Sequence, residues 1–139
     1  FVSGGGTLIV DAAGGSEAFA DSASAMVMEL FGPLRRLPSF SPVYRLKGME
    51  IDKVGYRRAA REALGTSRQP RIRAAKVNER TAVFFSREDL TAGLVGYPCY
   101  GCIGYATGTP AKPGSAVKLM RNMVLFAQAA AAPAAAPAK

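Results

Sequence analysis

The chain predicts an α/β (α+β) fold: a small sheet covered by amphipathic helices, in a single domain that ends in an extended C-terminal tail. Short apolar runs alternate with stripes at helical spacing, and glycine or proline punctuates nearly every junction between them. The length, 139 residues, suits one core. A chain of this size buries roughly two-thirds of the surface its unfolded form exposes, so folding requires neither a metal nor a disulfide. Apolar residues make up 49% of the chain, but many are alanine and Trp is absent, which predicts a thin core.

Thr7 to Val10 reads as a short buried strand followed by a glycine turn. Ser16 then caps a helix in which Phe19, Ala23, Met26, Val27 and Leu30 recur at helical spacing, so this stripe is expected to face the core. Gly32 and Pro33 stop it. Val43 to Leu46 is expected as a strand. Asp52 is expected to cap a helix over 53–64, with Tyr56, Ala59, Ala60, Ala63 and Leu64 on one side and Arg57, Arg58, Arg61 and Glu62 on the other. Two strands follow around Asn78 to Arg80, the first with Arg71 and Arg73 outward and Ile72 inward, the second fully buried. Ser86 to Asp89 matches a helix start that Gly96 ends. Ser115 opens the last helix, with Val117, Met120, Met123, Val124 and Ala127 as its apolar stripe. The boundaries read as a domain over 1–127 and an Ala/Pro-rich tail over 128–139.

That tail offers too little apolar area to offset the entropy of ordering it, so it is expected to lie against a neighbouring molecule. The apolar stretch 123–138 is broken by Pro133 and Pro137 and is too short to span a bilayer. A soluble or peripheral protein is therefore expected. Phe1 in place of an initiator Met is read as the mark of a removed or trimmed leading segment.

The formal charge of +8 is unevenly distributed. Residues 1–34 carry Asp11, Glu17, Asp21 and Glu29 with no Lys or Arg, whereas 53–80 carries nine basic residues against Glu62 and Glu79. Such a split suits docking to phosphates, anionic headgroups or an acidic protein; a solvated helix face and a charge-protected hairpin edge would produce it too. Arg57, Arg58, Arg61, Arg71, Arg73, Lys76 and Arg80 are the candidate docking residues. Aromatic rings are not interleaved among them, so base stacking is not indicated, although phosphate binding to folded RNA remains open.

Catalytic signals are weak. With no histidine in the chain, no nucleophile pairs with an imidazole base, and Glu50, Asp52, Glu88 and Asp89 fall where helix starts explain them. Cys99 and Cys102 supply half of a zinc set, and the residues after them cannot open the helix that a redox dithiol needs. They are read as a local disulfide or a reduced packed pair, within a surface loop from Gly96 to Pro110 whose tyrosines suit an interface. SGGGTL and DAAGGSEAF are the phosphate-loop candidates. The first lacks a P-loop's lysine, and Asp11 and Glu17 flank the second, so tight turns are the expected role for both.

VYRLKGMEIDKVGYRRAAREALG and TAVFFSREDLTAGLV, within 43–95, resemble the soluble intermembrane-space component of the chloroplast inner-envelope translocon, the Tic twenty-two family. The matching positions are Val43, Tyr44, Leu46 and Val83 to Leu90. The resemblance implies a plastid α/β domain. The expected function is a non-enzymatic accessory or structural subunit of a large plastid complex, most of all a photosynthetic one, docking through the basic residues and the tail. A preprotein-import chaperone and an rRNA-binding ribosomal subunit are the alternatives. The expected partners are other protein subunits, then an acidic membrane surface, then nucleic acid; no cofactor and no metal are expected. The expected location is the plastid, soluble or peripheral to the thylakoid.

Overall fold

The computed structural model describes residues 1–96, 99–109 and 111–131. Its central sheet has four strands in the order β1-β4-β3-β2: β1 (Leu8–Asp11), β2 (Arg35–Arg36), β3 (Arg73–Val77) and β4 (Arg80–Ser86). β1 and β4 run parallel, with Leu8 opposite Val83 and Asp11 opposite Ser86. β3 is antiparallel to both its neighbours, placing Arg73 opposite Phe85 on one side and Arg36 on the other. The tight turn joining β3 to β4 holds Asn78 at φ 51° and Glu79 at φ 60°, the left-handed pair that a two-residue hairpin requires.

Helices cover both faces. α1 (Glu17–Phe31) lies on one, where Ala20, Ala23 and Val27 meet Val83 and Phe85. On the other, Ile72, Ala74 and Phe84 pack with Leu90, Tyr105, Leu119 and Met123. Phe84 also meets Phe126 edge-on at 5.9 Å between ring centres. Each fully buried phenylalanine contributes about 1.5–3 kcal/mol, so the alternation of Phe84 and Phe85 across β4 ties the two layers to one strand. α2 (Arg58–Leu64), α3 (Thr91–Val95) and α4 (Ser115–Ala131) complete this second layer, with the small hairpin β5 (Gly108–Thr109) and β6 (Lys112–Pro113) leading into α4. The mixed α/β single domain read from the sequence is the fold observed.

Several elements depart from expectation. α1 has its Ser16 cap, whose Oγ accepts the Phe19 N–H, and its stop at Gly32, but it is rotated on its axis. Phe19, Met26 and Leu30 are exposed while Ala20, Ala23, Ser24 and Val27 are buried, because small side chains let the helix settle close to the sheet. α4 is likewise turned: Ala116, Leu119, Asn122 and Met123 are buried, and Val124 is exposed.

Val43 to Leu46 is not a strand. Pro42 to Tyr44 form a short 3-10 turn, the fixed φ of Pro42 favouring it, with the Arg45 N–H donating to the Pro42 carbonyl. The helix expected over 53–64 begins only at Arg58, because residues 54–56 are drawn into other pairings. The Val54 N–H donates to Arg68 O, the Gly55 N–H donates to Ser115 Oγ, and Tyr56 bridges Tyr105. Asp52 caps nothing and instead pairs with Arg45 at 2.5 Å. Of the tail, residues 128–131 continue α4, and 132–139 lie outside the described residues. Among the described residues, no helix is long and apolar enough to cross a membrane.

Candidate functional site

Open α/β sheets take ligands in the crevice beyond the carboxyl ends of their parallel strands. Here the chain leaving β1 turns through Ala13–Gly15, with Gly14 and Gly15 both at φ 71°, while the chain leaving β4 runs through Arg87 to Leu90 into α3. Two carboxylates cross between these loops. Asp11, at the end of β1, accepts the Leu90 N–H at 3.1 Å, the Thr91 N–H at 2.9 Å and the Thr91 hydroxyl at 2.7 Å. Asp89, fully buried, accepts the Gly14 N–H at 2.9 Å and the Ala92 N–H at 3.2 Å, and its other oxygen takes Arg57 Nη2 at 2.6 Å. The glycine turn weighed as a phosphate loop therefore donates an amide to the protein's own carboxylate. Burial raises the Asp11 pKa above its ordinary 3.8, outweighing the Thr91 and Leu90 donors that lower it.

Arg57 joins this junction to a cleft. Its Nε donates to Tyr105 O at 3.0 Å, and Nη1 is buried with no partner among the described residues. Gly104 permits the close approach, since a Cβ there would stand 2.7 Å from Asp89 O. Tyr56 and Tyr105 stack at 4.8 Å beneath; burial pushes the Tyr56 phenol up to about 12 and Tyr105 well above its usual value, so both stay protonated, the Tyr56 hydroxyl donating to Gln69 O at 2.7 Å and the Tyr105 hydroxyl accepting the Arg71 N–H at 2.9 Å. Above them α2 faces the cysteine loop across a cavity of about 480 Å³, with Arg57, Arg58 and Arg61 on one wall and Tyr100, Thr107 and the cysteine pair on the other. Tyr100 is 93% exposed at the rim. Cys99 and Cys102 are joined as a disulfide with Cα atoms 5.6 Å apart. Tyr97, Pro98 and Pro110 of this loop lie outside the described residues.

A second cavity, about 360 Å³, opens beside the carboxyl end of β4 and is lined by Leu34, Arg36, Arg71, Arg73, Arg87 and Glu88. Among the described residues, no group of three or more acidic or cysteine side chains stands close enough to hold a metal.

The seven basic residues singled out from sequence thus fall into separate places. Arg57, Arg58 and Arg61 line the first cavity, and Arg71 and Arg73 line the second. Arg71 is engaged by Glu88 at 2.7 Å, and Arg58 by Glu62 at 2.9 Å. Lys76 is exposed and 3.8 Å from Glu79. Arg80 points inward to the amino-terminal turn, donating to Thr7 Oγ1 at 2.9 Å, Gly6 O at 2.7 Å and Val2 O at 3.2 Å.

Sequence reasoning missed Arg36 and Arg87, and it read Glu88 and Asp89 as helix-start residues only. Asp89 does accept the Ala92 N–H at the start of α3, but the partner that makes it central, Arg57, is 32 positions away. Asn122 was missed as well; its amide donates to Val43 O at 3.0 Å and Met49 O at 2.9 Å, pinning the 3-10 turn to α4.

A family model described as "Domain of unknown function (DUF4159)" matches residues 1–128. This overturns the resemblance to the translocon component, which covered only 43–95 and rested on apolar-strand and helix-start patterns that many α/β domains share. The plastid setting drawn from that resemblance loses this footing. No curated protein and no solved structure matched the chain.

Proposed function

The chain belongs to the DUF4159 family, whose model spans residues 1–128, and on that premise we propose that it is a non-enzymatic accessory subunit that docks an acidic segment of a partner protein in the cleft between α2 and the cysteine loop. The observation that carries this reading is the composition of the cleft walls. Arg58 and Arg61 face an exposed tyrosine across about 480 Å³, Arg57 behind them is held by Asp89, and the only carboxylate among the lining residues, Glu62, is already paired with Arg58. Arginine and tyrosine are the residue types that dominate binding energy at protein interfaces. Clustered guanidiniums also steer an acidic partner by charge complementarity. The disulfide supports the tyrosine-bearing wall, which reduces the ordering cost on binding.

The test uses a fluorescein-labelled peptide of glutamates around a central leucine, followed by anisotropy. Binding to the wild-type domain is expected to fall at least tenfold in R58E/R61E and in Y100A. A charge-matched control, R35E/K47E, alters exposed residues outside the cleft and is expected to leave binding unchanged. Equal loss in the control would mean that bulk charge, not the cleft, holds the peptide, and the proposal fails.

A further inference from the structure

The second cavity carries an inference independent of the docking cleft. Cross-strand pairing places Arg36 directly opposite Arg73, a juxtaposition of like charges that destabilises a sheet unless something lies between them. Arg71 and Arg87 converge on the same cavity, so four guanidiniums line it against one carboxylate, Glu88. Their existing partners do not use them up. The Arg36 side chain donates only to Pro70 O, at 2.9 and 3.2 Å, Arg87 reaches outward to the exposed Asp21 at 2.7 Å, and the Arg73 guanidinium has no hydrogen bond or ion pair among the described residues.

Glu88 is the second, separate observation. The residue is 3% exposed, and Oε1 accepts Arg71 Nε at 2.7 Å, while Oε2 is buried with no donor. A buried acceptor left unpaired is costly, so it marks a position that a donor should fill. None of the arginines reaches it in the described structure. A ligand that completes the site therefore carries both an anionic group for the arginine forks and a hydroxyl for Glu88. The cavity lies beyond the carboxyl end of β4, where α/β sheets bind their ligands, and its volume is at the small end of the range for small-molecule pockets.

We propose that Arg36, Arg71, Arg73 and Arg87 bind a phosphate monoester whose neighbouring hydroxyl donates to Glu88. Arginine matches phosphate oxygens with paired N–H donors, and a dianion relieves the Arg36–Arg73 repulsion. The same chemistry is presented by a free sugar phosphate and by a phosphorylated inositol headgroup.

Calorimetric titration with ribose 5-phosphate, inorganic phosphate and ribose tests the assignment, and co-sedimentation with vesicles containing phosphatidylinositol 4-phosphate separates the two sources. The expected order is ribose 5-phosphate at least tenfold tighter than phosphate, with ribose not binding; pelleting with vesicles, weakened in R73Q, assigns the headgroup as a source. R73Q removes a side chain with no internal partner and one half of a like-charge pair, so it is expected to match or exceed the wild-type melting temperature while weakening both anions at least tenfold. E88Q is expected to keep phosphate binding and lose most of the preference for the sugar ester. R58E/R61E should change neither. Unaltered affinity in R73Q, equal affinity of wild-type protein for ribose 5-phosphate and phosphate, or no binding in either the soluble or the vesicle arm would overturn the proposal.

Discussion

Replacing Asp89 with alanine removes the carboxylate that holds Arg57, Gly14 and Ala92 at once. The guanidinium it leaves behind is only 11% exposed, and its Nη1 already lacks a partner, so it cannot recover its hydration without opening the fold. Removing one partner from a buried ion pair costs about 3–5 kcal/mol. The stranded Gly14 and Ala92 amides are part-buried, so water compensates them incompletely and each adds toward the low end of about 1–3 kcal/mol. The expected loss is about 5–7 kcal/mol, against a total stability of about 5–15 kcal/mol for a domain of this kind, which puts D89A at the edge of folding. R57M keeps the apolar stem and leaves the buried Asp89 with its two amide donors, so the low end of the ion-pair range, about 3 kcal/mol, is expected. The double variant should cost less than the sum of the two by about 2 kcal/mol, since neither charge is then left alone. Urea denaturation of all four proteins measures the cycle. Additivity within about 0.5 kcal/mol would refute the claim that these two side chains act as one unit.

Three further outcomes are expected. The Asp11 side-chain carbon should titrate above 3.8 by NMR; because its folded pKa is raised, its contribution to stability is fully present below 3.8 and is lost as pH rises through the folded value, a slope that D11N should lack. A Cβ at Gly93 would lie 2.3 Å from Ala116 Cβ, so G93A should destabilise the α3–α4 contact by about 1–3 kcal/mol and G93A/A116G should recover most of it, read by thermal melting. Intact-mass analysis should find Cys99 and Cys102 lighter by a pair of hydrogens until reduced, and because their loop is so short, C99S/C102S should cost no more than about 2 kcal/mol.

What could be read from the sequence was local. The Ser16 cap, the stop at Gly32, the buried strand around Phe84 and the turn at Asn78 each depend on residues a few positions apart, and each is observed. The rotation of α1 was not readable, because hydropathy favours Phe19, Met26 and Leu30 for the core whereas close packing on Phe85 favours Ala20 and Ala23. Helical spacing at 53–64 could not reveal that Gly55 is claimed by Ser115, sixty positions on. The same distance effect hid the cavities: Arg36 and Arg73 meet only through strand pairing, and Arg71 meets Glu88 only because β4 returns beside β3. Charge counting marked most of these residues as cationic, but it could not divide them between an inward clamp at Arg80 and two separate openings.

The crossing of Asp11 and Asp89 between the β1 and β4 exits works as a buckle with two tongues, each threaded through the other's strap. Neither exit can swing away while the other stays shut, so the crossing amides of Gly14, Leu90 and Thr91 are expected to share one opening free energy in hydrogen exchange. This end of the sheet is consequently a rigid anvil, and any yielding of the molecule on contact with another body has to come from the walls around it.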